Sequence, residues 1–138
     1  MNNCYQMLFV LNNLKKLASV MNMGPPFFVG FDSLDPIEVE SGTKFEYNLP
    51  KVSDPDKSDK ILISVLLKNA YEFVSYANQN KIIISPKPSH VKNLPFKVQI
   101  VLTDNNPMPK SSSYDLFILV KPSTTLSKSA LKKSIIEI

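Results

Sequence analysis

Residues 43–49 read Thr-Lys-Phe-Glu-Tyr-Asn-Leu, an alternation of polar and apolar side chains with a period of two. Successive side chains of an extended strand point to opposite faces, so Phe45, Tyr47 and Leu49 share one face. The polar residues between them share the other face. The segment therefore predicts a strand with one buried side.

The same period recurs in three longer segments along the chain. Apolar residues occupy every second position in 61–67, in 96–102 and in 113–121. The last segment also carries Phe117 and Leu119 on its second face, which predicts that this face is partly covered. Shorter strands are predicted at 27–31, 37–40, 71–76 and 82–84.

Clusters of turn-forming residues separate these strands. They lie at 33–36, 50–58, 86–93 and 104–109, and they are rich in Pro, Asp, Asn and Ser. About seven short strands with turn signals roughly every ten residues are typical of an Ig-like antiparallel β-sandwich. We therefore predict an all-β sandwich, with no helix of core-forming length between the strands.

The predicted domain spans 24–122 and is flanked by two short segments that are not part of its core. Residues 1–23 are interpreted as a leader or the remnant of an upstream segment, and 123–138 as a polar, basic tail. No stretch approaches the roughly 18 apolar residues of a membrane-spanning helix, so no transmembrane segment is predicted. The apolar residues of the tail loosely fit one face of a helix. They are Leu131, Ile135, Ile136 and Ile138.

The formal charge of +4 lies entirely outside the predicted domain. Residues 24–122 carry equal numbers of acidic and basic side chains, and the excess lysines are in the two terminal segments. Every basic residue is a lysine, so the bidentate guanidinium that reads guanine edges and clamps phosphates is missing. We therefore expect no nucleic-acid binding.

The inventory of reactive residues also predicts a protein that is not an enzyme. His90 is the only histidine and lies in a loop of Pro, Ser and Lys, so we expect a surface residue and not a general base. Cys4 is the only cysteine, which leaves no internal disulfide and no Cys-based zinc site. With three glycines in the chain, no phosphate-binding loop is recognisable.

One group of acidic residues is a candidate ligand site. Asp54, Asp56 and Asp59 lie in the turn after the 43–49 strand, and Asp104 precedes two asparagines in the last turn. In an Ig-type sandwich these two loops emerge at the same end, so Asp54, Asp56 and Asp104 are expected to converge. Oxygen ligands suit Ca²⁺, which takes six to eight of them. The same residues are ordinary turn formers, so that alternative stays open.

Four motifs in this order resemble a cadherin repeat, and most closely the dystroglycan-type cadherin-like domain. They are Pro25-Pro26-Phe27-Phe28, Ser53-Asp54-Pro55-Asp56, Leu102-Thr103-Asp104-Asn105 and the final strand, 112–121. The resemblance covers 24–122. It implies a module that stands in tandem with others on a cell-surface or secreted protein, with calcium held at the junctions.

The resemblance implies only half of such a calcium site. Asp54 and Asp56 match the Asp-x-Asp of the family, and Asp104 matches its aspartate before the last strand. These residues belong to the half-site offered to a preceding repeat. The acidic linker of the family is replaced by Met21–Gly24, and the acidic stretch offered to a following repeat by Pro88-Ser89-His90. If the site binds Ca²⁺, we therefore expect the binding to be weak, with a Kd of about 10⁻⁴–10⁻³ M.

Three functions remain open on these observations. The first is an adhesive or structural spacer of an extracellular or cell-surface protein, whose partners are neighbouring cadherin-like repeats or other proteins. The second is a calcium-free accessory domain that binds protein or carbohydrate, for which Tyr71 and Tyr76 are the best exposed aromatic candidates. The third is a standalone intracellular β-sandwich with a protein partner.

Overall fold

The computed structural model describes residues 21–124, which form nine strands and two short 3₁₀ turns. The 3₁₀ turns lie at Lys68–Ala70 and Pro88–His90. The strands are β1 (Phe27–Phe28), β2 (Ile37–Glu40), β3 (Phe45–Asn48), β4 (Val52–Ser53), β5 (Ile61–Leu66), β6 (Val74–Ala77), β7 (Lys81–Ile84), β8 (Phe96–Asp104) and β9 (Ser111–Lys121).

Seven of the nine strands form two main sheets. One sheet has the order β2-β9-β8-β5 and the other the order β3-β7-β6, while β1 and β4 make a separate two-stranded ribbon. Every pairing is antiparallel except that of β2 with β9, which is parallel and runs from Ile37 opposite Ile118 to Glu40 opposite Lys121.

The two longest strands supply most of the core. Along β8 every second side chain from Phe96 to Asp104 is buried, and along β9 the buried set begins at Tyr114 and ends at Val120. Because Val98 pairs with Leu116 and Ile100 with Tyr114, the two stripes lie side by side on the inner face. The alternation predicted from the sequence is thus confirmed in these strands.

The second sheet covers this inner face. Val74 of β6 and Ile82 and Ile84 of β7 are buried in the same hydrophobic cluster as the residues of β8 and β9. Phe28 joins it from β1, where its ring lies 4.6 Å from the ring of Tyr114 and its amide donates to the Tyr114 hydroxyl at 3.1 Å. The protein is an all-β sandwich, as predicted.

Two predicted strands differ from those observed. The strand predicted at 27–31 ends at Phe28, because the chain turns at Gly30, whose φ of 83° few other residues adopt. The strand predicted at 71–76 begins only at Val74, because a 3₁₀ turn at Lys68–Ala70 precedes it and Lys68 has a φ of 51°. Lysine is not among the residue types that commonly adopt that conformation, so the sequence at position 68 did not signal it.

The predicted leader and tail lie mostly outside the described residues. Residues 1–20 and 125–138 are not described, so the helical face predicted in the tail stays a prediction. Within residues 21–124, no helix is long and apolar enough to cross a bilayer.

Candidate calcium site

Two neighbouring loops bring the predicted acidic residues to one end of the sandwich. The first follows β4 and leads into β5, and the second follows β8. Ile61 at the start of β5 pairs with Asp104 at the end of β8, so the loops begin side by side. The Asn105 amide donates to the Lys60 carbonyl at 3.0 Å, and the Lys60 amide donates to the Asn105 side-chain oxygen at 2.7 Å.

Three carboxylates of the first loop cluster tightly. Asp54, Asp56 and Asp59 each offer one oxygen, and these oxygens all lie within 4.8 Å of one another. The backbone imposes this proximity, since the Asp56 amide donates to Asp54 Oδ1 at 2.7 Å and the Asp59 amide donates to the Asp56 carbonyl at 2.9 Å. The three residues line a depression of about 260 Å³, which Lys57 also lines.

The cluster disfavours the ionised form of Asp54. Burial raises the pKa of the Asp54 carboxyl, and the hydrogen bond from the Asp56 amide opposes that change only in part. The negative charges of Asp104, Asp59 and Asp56 raise the pKa further. In addition, Asp54 Oδ2 is buried and has no hydrogen-bond donor among the described residues. A cation beside this oxygen would relieve both costs.

Asp104 lies beside the cluster but has a different environment. It is 4% exposed, and its carboxylate accepts from the Asn22 side chain at 2.6 Å and from the amides of Lys110 and Asn106 at 3.1 and 3.3 Å. Burial acts to raise the pKa of Asp104, but these hydrogen bonds outweigh it and lower the pKa. Asp104 is close enough to affect Asp54, yet it is not one of the three residues whose oxygens lie within 4.8 Å.

The segment that enters the domain closes this end of the sandwich. Asn22 donates to Asp104 and, at 2.9 Å, to the Met108 carbonyl, while Lys110 Nζ donates to the Asn22 carbonyl at 3.0 Å. The Met23 amide donates to Asp56 Oδ2 at 2.9 Å. Sequence reasoning missed Asn22 as a site residue, because the segment was judged only by its lack of carboxylates. Its position just before Gly24-Pro25-Pro26 was the available signal.

The donor set fits a hard cation bound weakly. The three clustered carboxylates offer oxygen ligands, and Asp54 Oδ2 is a buried oxygen without a donor. Ca²⁺ accepts such ligands but requires six to eight in all. The clustered carboxylates provide part of that number, so a preceding module or solvent would have to supply the remainder.

The prediction of a surface position for His90 is wrong. His90 is 9% exposed, and its ring lies 4.6 Å from the ring of Phe73. The Lys87 amide donates to His90 Nδ1 at 2.9 Å, and His90 Nε2 lies 3.0 Å from Glu72 Oε2. The Nδ1 contact therefore helps to close the 3₁₀ turn at Pro88–His90, and the Nε2 contact links that turn to Glu72, which precedes β6. This contact could not be predicted from the sequence, because Glu72 lies eighteen positions from His90.

Two tyrosines proposed as aromatic contacts are exposed to different degrees. Tyr71 is 67% exposed, and Tyr76 is 37% exposed with its hydroxyl donating to Asn80 at 3.0 Å. Tyr71 lies with Glu72 on the wall of a depression of about 260 Å³. Tyr71 is thus the more accessible ring.

Comparison with known proteins finds similarity in structure but not in sequence. No family model and no curated protein matches the chain. The EC21-23 structure of human CDH23 is similar with a TM-score of 0.57 and 16% identity, over 73% of this chain and 34% of that one. The EC1-2 structure of human mucin-like protocadherin has a TM-score of 0.54 and 19% identity, over 75% of this chain and 56% of that one.

A third similar structure belongs to a different class of protein. It is a nucleoside hydrolase-related hypothetical protein from Saccharophagus degradans that is associated with carbohydrate metabolism, with a TM-score of 0.59 and 18% identity. The match covers 75% of this chain and 27% of that protein. The chain therefore spans less than two thirds of each of these three structures. At these identities the similarity shows the fold alone, a β-sandwich of the kind found in cadherin repeats.

Proposed function

We propose that the protein is a non-catalytic cadherin-like module of a cell-surface or secreted protein, where it acts as an adhesive or structural spacer and binds Ca²⁺ weakly. The observation that carries the proposal is the buried Asp54 Oδ2, which has no donor among the described residues and lies within a cluster of three carboxylates. Calcium would be held by Asp54 and Asp56, as expected from the sequence, and by Asp59.

The role of Asp104 in this proposal is that of a supporting residue. Both of its oxygens already accept hydrogen bonds, one from Asn22 and the other from backbone amides. Its negative charge adds to the potential that attracts a cation to Asp54. Because Met23 also occupies one oxygen of Asp56, few ligand atoms remain, which supports weak binding.

The site lies where a preceding module would be joined. Residues Asn22 and Met23 contact the acidic loops directly, so any upstream domain would enter the structure at this end. Such a neighbour could complete the coordination shell, which supports a spacer whose rigidity depends on calcium. Neighbouring cadherin-like repeats and other proteins are therefore the proposed partners.

Thermal unfolding of the full chain in about 5 mM Ca²⁺ and in EDTA tests the proposal. A ligand that binds only the folded state with Kd near 1 mM adds about 1 kcal/mol, or roughly 4 °C in the midpoint. We expect this rise in the wild-type protein and none in Asp54→Asn. In EDTA at neutral pH the variant should be more stable than the wild type, because its neutral side chain escapes the burial of charge and the repulsion that together raise the pKa of Asp54.

The control is Asp32→Asn, which removes the same charge from an exposed residue outside the two acidic loops. It should keep the calcium response. A wild-type midpoint that is the same in calcium and EDTA would leave the acidic residues as turn formers, and a response that survives in Asp54→Asn would place calcium elsewhere.

The second candidate function is a calcium-free accessory domain that binds carbohydrate or protein. It is favoured by the exposed Tyr71 ring beside the Glu72 carboxylate on the wall of a depression, an arrangement suited to stacking against a sugar. Titration with oligosaccharides followed by tyrosine fluorescence would reveal it, with Tyr71→Ala as the variant that should lose the response.

A further inference from the structure

Strand β5 is an apolar edge of the four-stranded sheet. Its sequence is Ile-Leu-Ile-Ser-Val-Leu, and within residues 21–124 it pairs with β8 alone. Its outward side chains Leu62 and Leu66 are 65% and 47% exposed. Its inward side chains are only half-buried, whereas Ile100 and Leu102, opposite them on β8, are fully buried. Both faces of β5 therefore carry apolar surface that the described domain does not cover.

The backbone of β5 also has unpaired groups on its free side. The Asn105 amide donates to the Lys60 carbonyl at 3.0 Å, so Lys60 occupies a hydrogen-bonded position of the β5–β8 pair. Such positions alternate with non-hydrogen-bonded ones along an antiparallel pair. Ile61, Ile63 and Val65 therefore direct their amides and carbonyls away from β8, and they have no other backbone partner within residues 21–124. These groups can accept an additional strand.

The other edges of the two main sheets are less suited to strand addition. β2 and β3 carry glutamates, and β6 has four residues, whereas β5 has six residues without a charge or a proline. The pairing of β5 with β8 is also continuous, without a bulge. Charges, prolines, bulges and short length are the features that protect edge strands from pairing with other chains. Within the described domain, β5 has none of them.

The β5 strand complements a second copy of itself. If two copies run antiparallel with Ile63 opposite Ile63, then Ile61 of each lies opposite Val65 of the other. Every amide and carbonyl on the free side then has a partner. On the outer face the two Leu62 side chains lie diagonally, about 7–8 Å apart. No charged residue of the strand meets a like charge, and residues 24–122 carry no net charge that would repel a second copy.

We propose that β5 is a dimerisation edge, on which a second copy of the chain pairs antiparallel about Ile63 and joins two four-stranded sheets into one. The interface closes on itself, because each copy contributes its β5 to the pair. A standard interface has roughly 20–30 residues a side, so a dimer held by one strand is weak, with a Kd of about 10⁻⁵–10⁻³ M. The pairing is independent of calcium at the acidic loops.

Sedimentation equilibrium of the full chain from about 10 μM to 1 mM tests the proposal, under reducing conditions that prevent cross-linking through Cys4. We expect a monomer–dimer equilibrium in the wild type. Leu62→Lys should raise the dimer Kd at least about tenfold, because it brings two like charges together across the strands. Leu94→Lys is the matched control, since Leu94 is 75% exposed and lies outside the strands. A monomer throughout, species larger than a dimer, or equal effects of the two variants would overturn the proposal.

Amide exchange identifies the strand that pairs. As the protein concentration rises, the amides of Ile61, Ile63 and Val65 should gain protection, whereas those of Leu62 and Ser64, which face β8, should change little. Protection gained at β2 or β6 would overturn the proposal in favour of another edge. Protection of the three amides that does not depend on concentration would overturn it in favour of another part of the same chain.

Discussion

Asn22 and Asp104 connect the entering chain to the end of β8. The carboxylate is 4% exposed, and the Asn22 amide at 2.6 Å is its shortest hydrogen bond. A buried carboxylate with a missing donor is costly, because the charged form loses water without a full replacement. Asn22 therefore has an effect on stability that its position in a short N-terminal segment would not suggest.

We predict that Asn22→Ala lowers the free energy of unfolding by about 1–2 kcal/mol at neutral pH. The pKa of Asp104 is lowered in the folded state, so its carboxylate stabilises the fold above the unfolded pKa of about 3.9. This contribution is lost as pH falls through the lowered value. The difference between variant and wild type should therefore shrink toward acid pH.

Urea unfolding at neutral and acid pH measures this difference, with the exposed Asn78→Ala as the matched control. A difference that is the same at both pH values would mean that Asn22 acts through packing and not through the charge of Asp104.

The loop between β6 and β7 is a strained element. Gln79 and Asn80 have φ values of 70° and 59°, a region that costs residues with a Cβ roughly 1–2 kcal/mol. At Asn80 this conformational cost is offset in part by the hydrogen bond that its side chain accepts from the Tyr76 hydroxyl. Gln79 is exposed, so a change there tests the backbone conformation with little effect on packing.

We predict that Gln79→Gly raises the free energy of unfolding by up to about 1 kcal/mol, because glycine adopts a positive φ without steric cost. Chemical denaturation of the variant measures the gain. Gln79→Ala, which shortens the side chain but keeps the Cβ, should give none, and an equal gain in both variants would contradict a backbone origin.

Strands of alternating burial were predictable, whereas elements shaped by backbone geometry were not. The period of two predicts which residues of β8 and β9 are buried. It does so because both strands have a neighbour on each side and are fully covered on one face. Phe45 fails the same rule and is 39% exposed, since it begins an edge strand. Residues 71–73 fail because a lysine adopts a positive φ just before them.

The candidate site shows the same division. The sequence predicted that Asp54, Asp56 and Asp104 converge, because loop order in a sandwich determines which loops share an end. In the structure Asp54 and Asp56 cluster with Asp59, and Asp104 lies beside that cluster and not in it. The sequence did not predict that the Asn22 side chain donates a hydrogen bond to one carboxylate oxygen of Asp104. That contact depends on where a chain segment eighty-two residues away crosses the loops.

The whole molecule should open from its ribbon toward its centre. β8 is paired on both sides, by β9 and β5, and contains five of its nine residues in buried positions. The ribbon of β1 and β4 has only two residue pairs. Amides with few neighbouring hydrogen bonds exchange through local opening, and those in the centre only through global unfolding.

We therefore predict that hydrogen exchange of native protein is slowest in β8 and β9 and fastest, among the strands, in β1 and β4. Exchange followed by NMR or mass spectrometry resolves these segments. Protection of β1 that equals that of β8 would mean that the ribbon unfolds only with the sheet.

The parallel pairing of β2 with β9 governs how the module would respond to tension. The chain enters before β2 and leaves after β9, and four residue pairs join the two strands in the same direction. A pull on the two ends drags these strands past each other lengthwise, so the hydrogen bonds between them bear the load together. In an antiparallel hairpin pulled at its open end, bonds yield one after another. This arrangement makes the sandwich a mechanically resistant link in any chain of modules that is stretched.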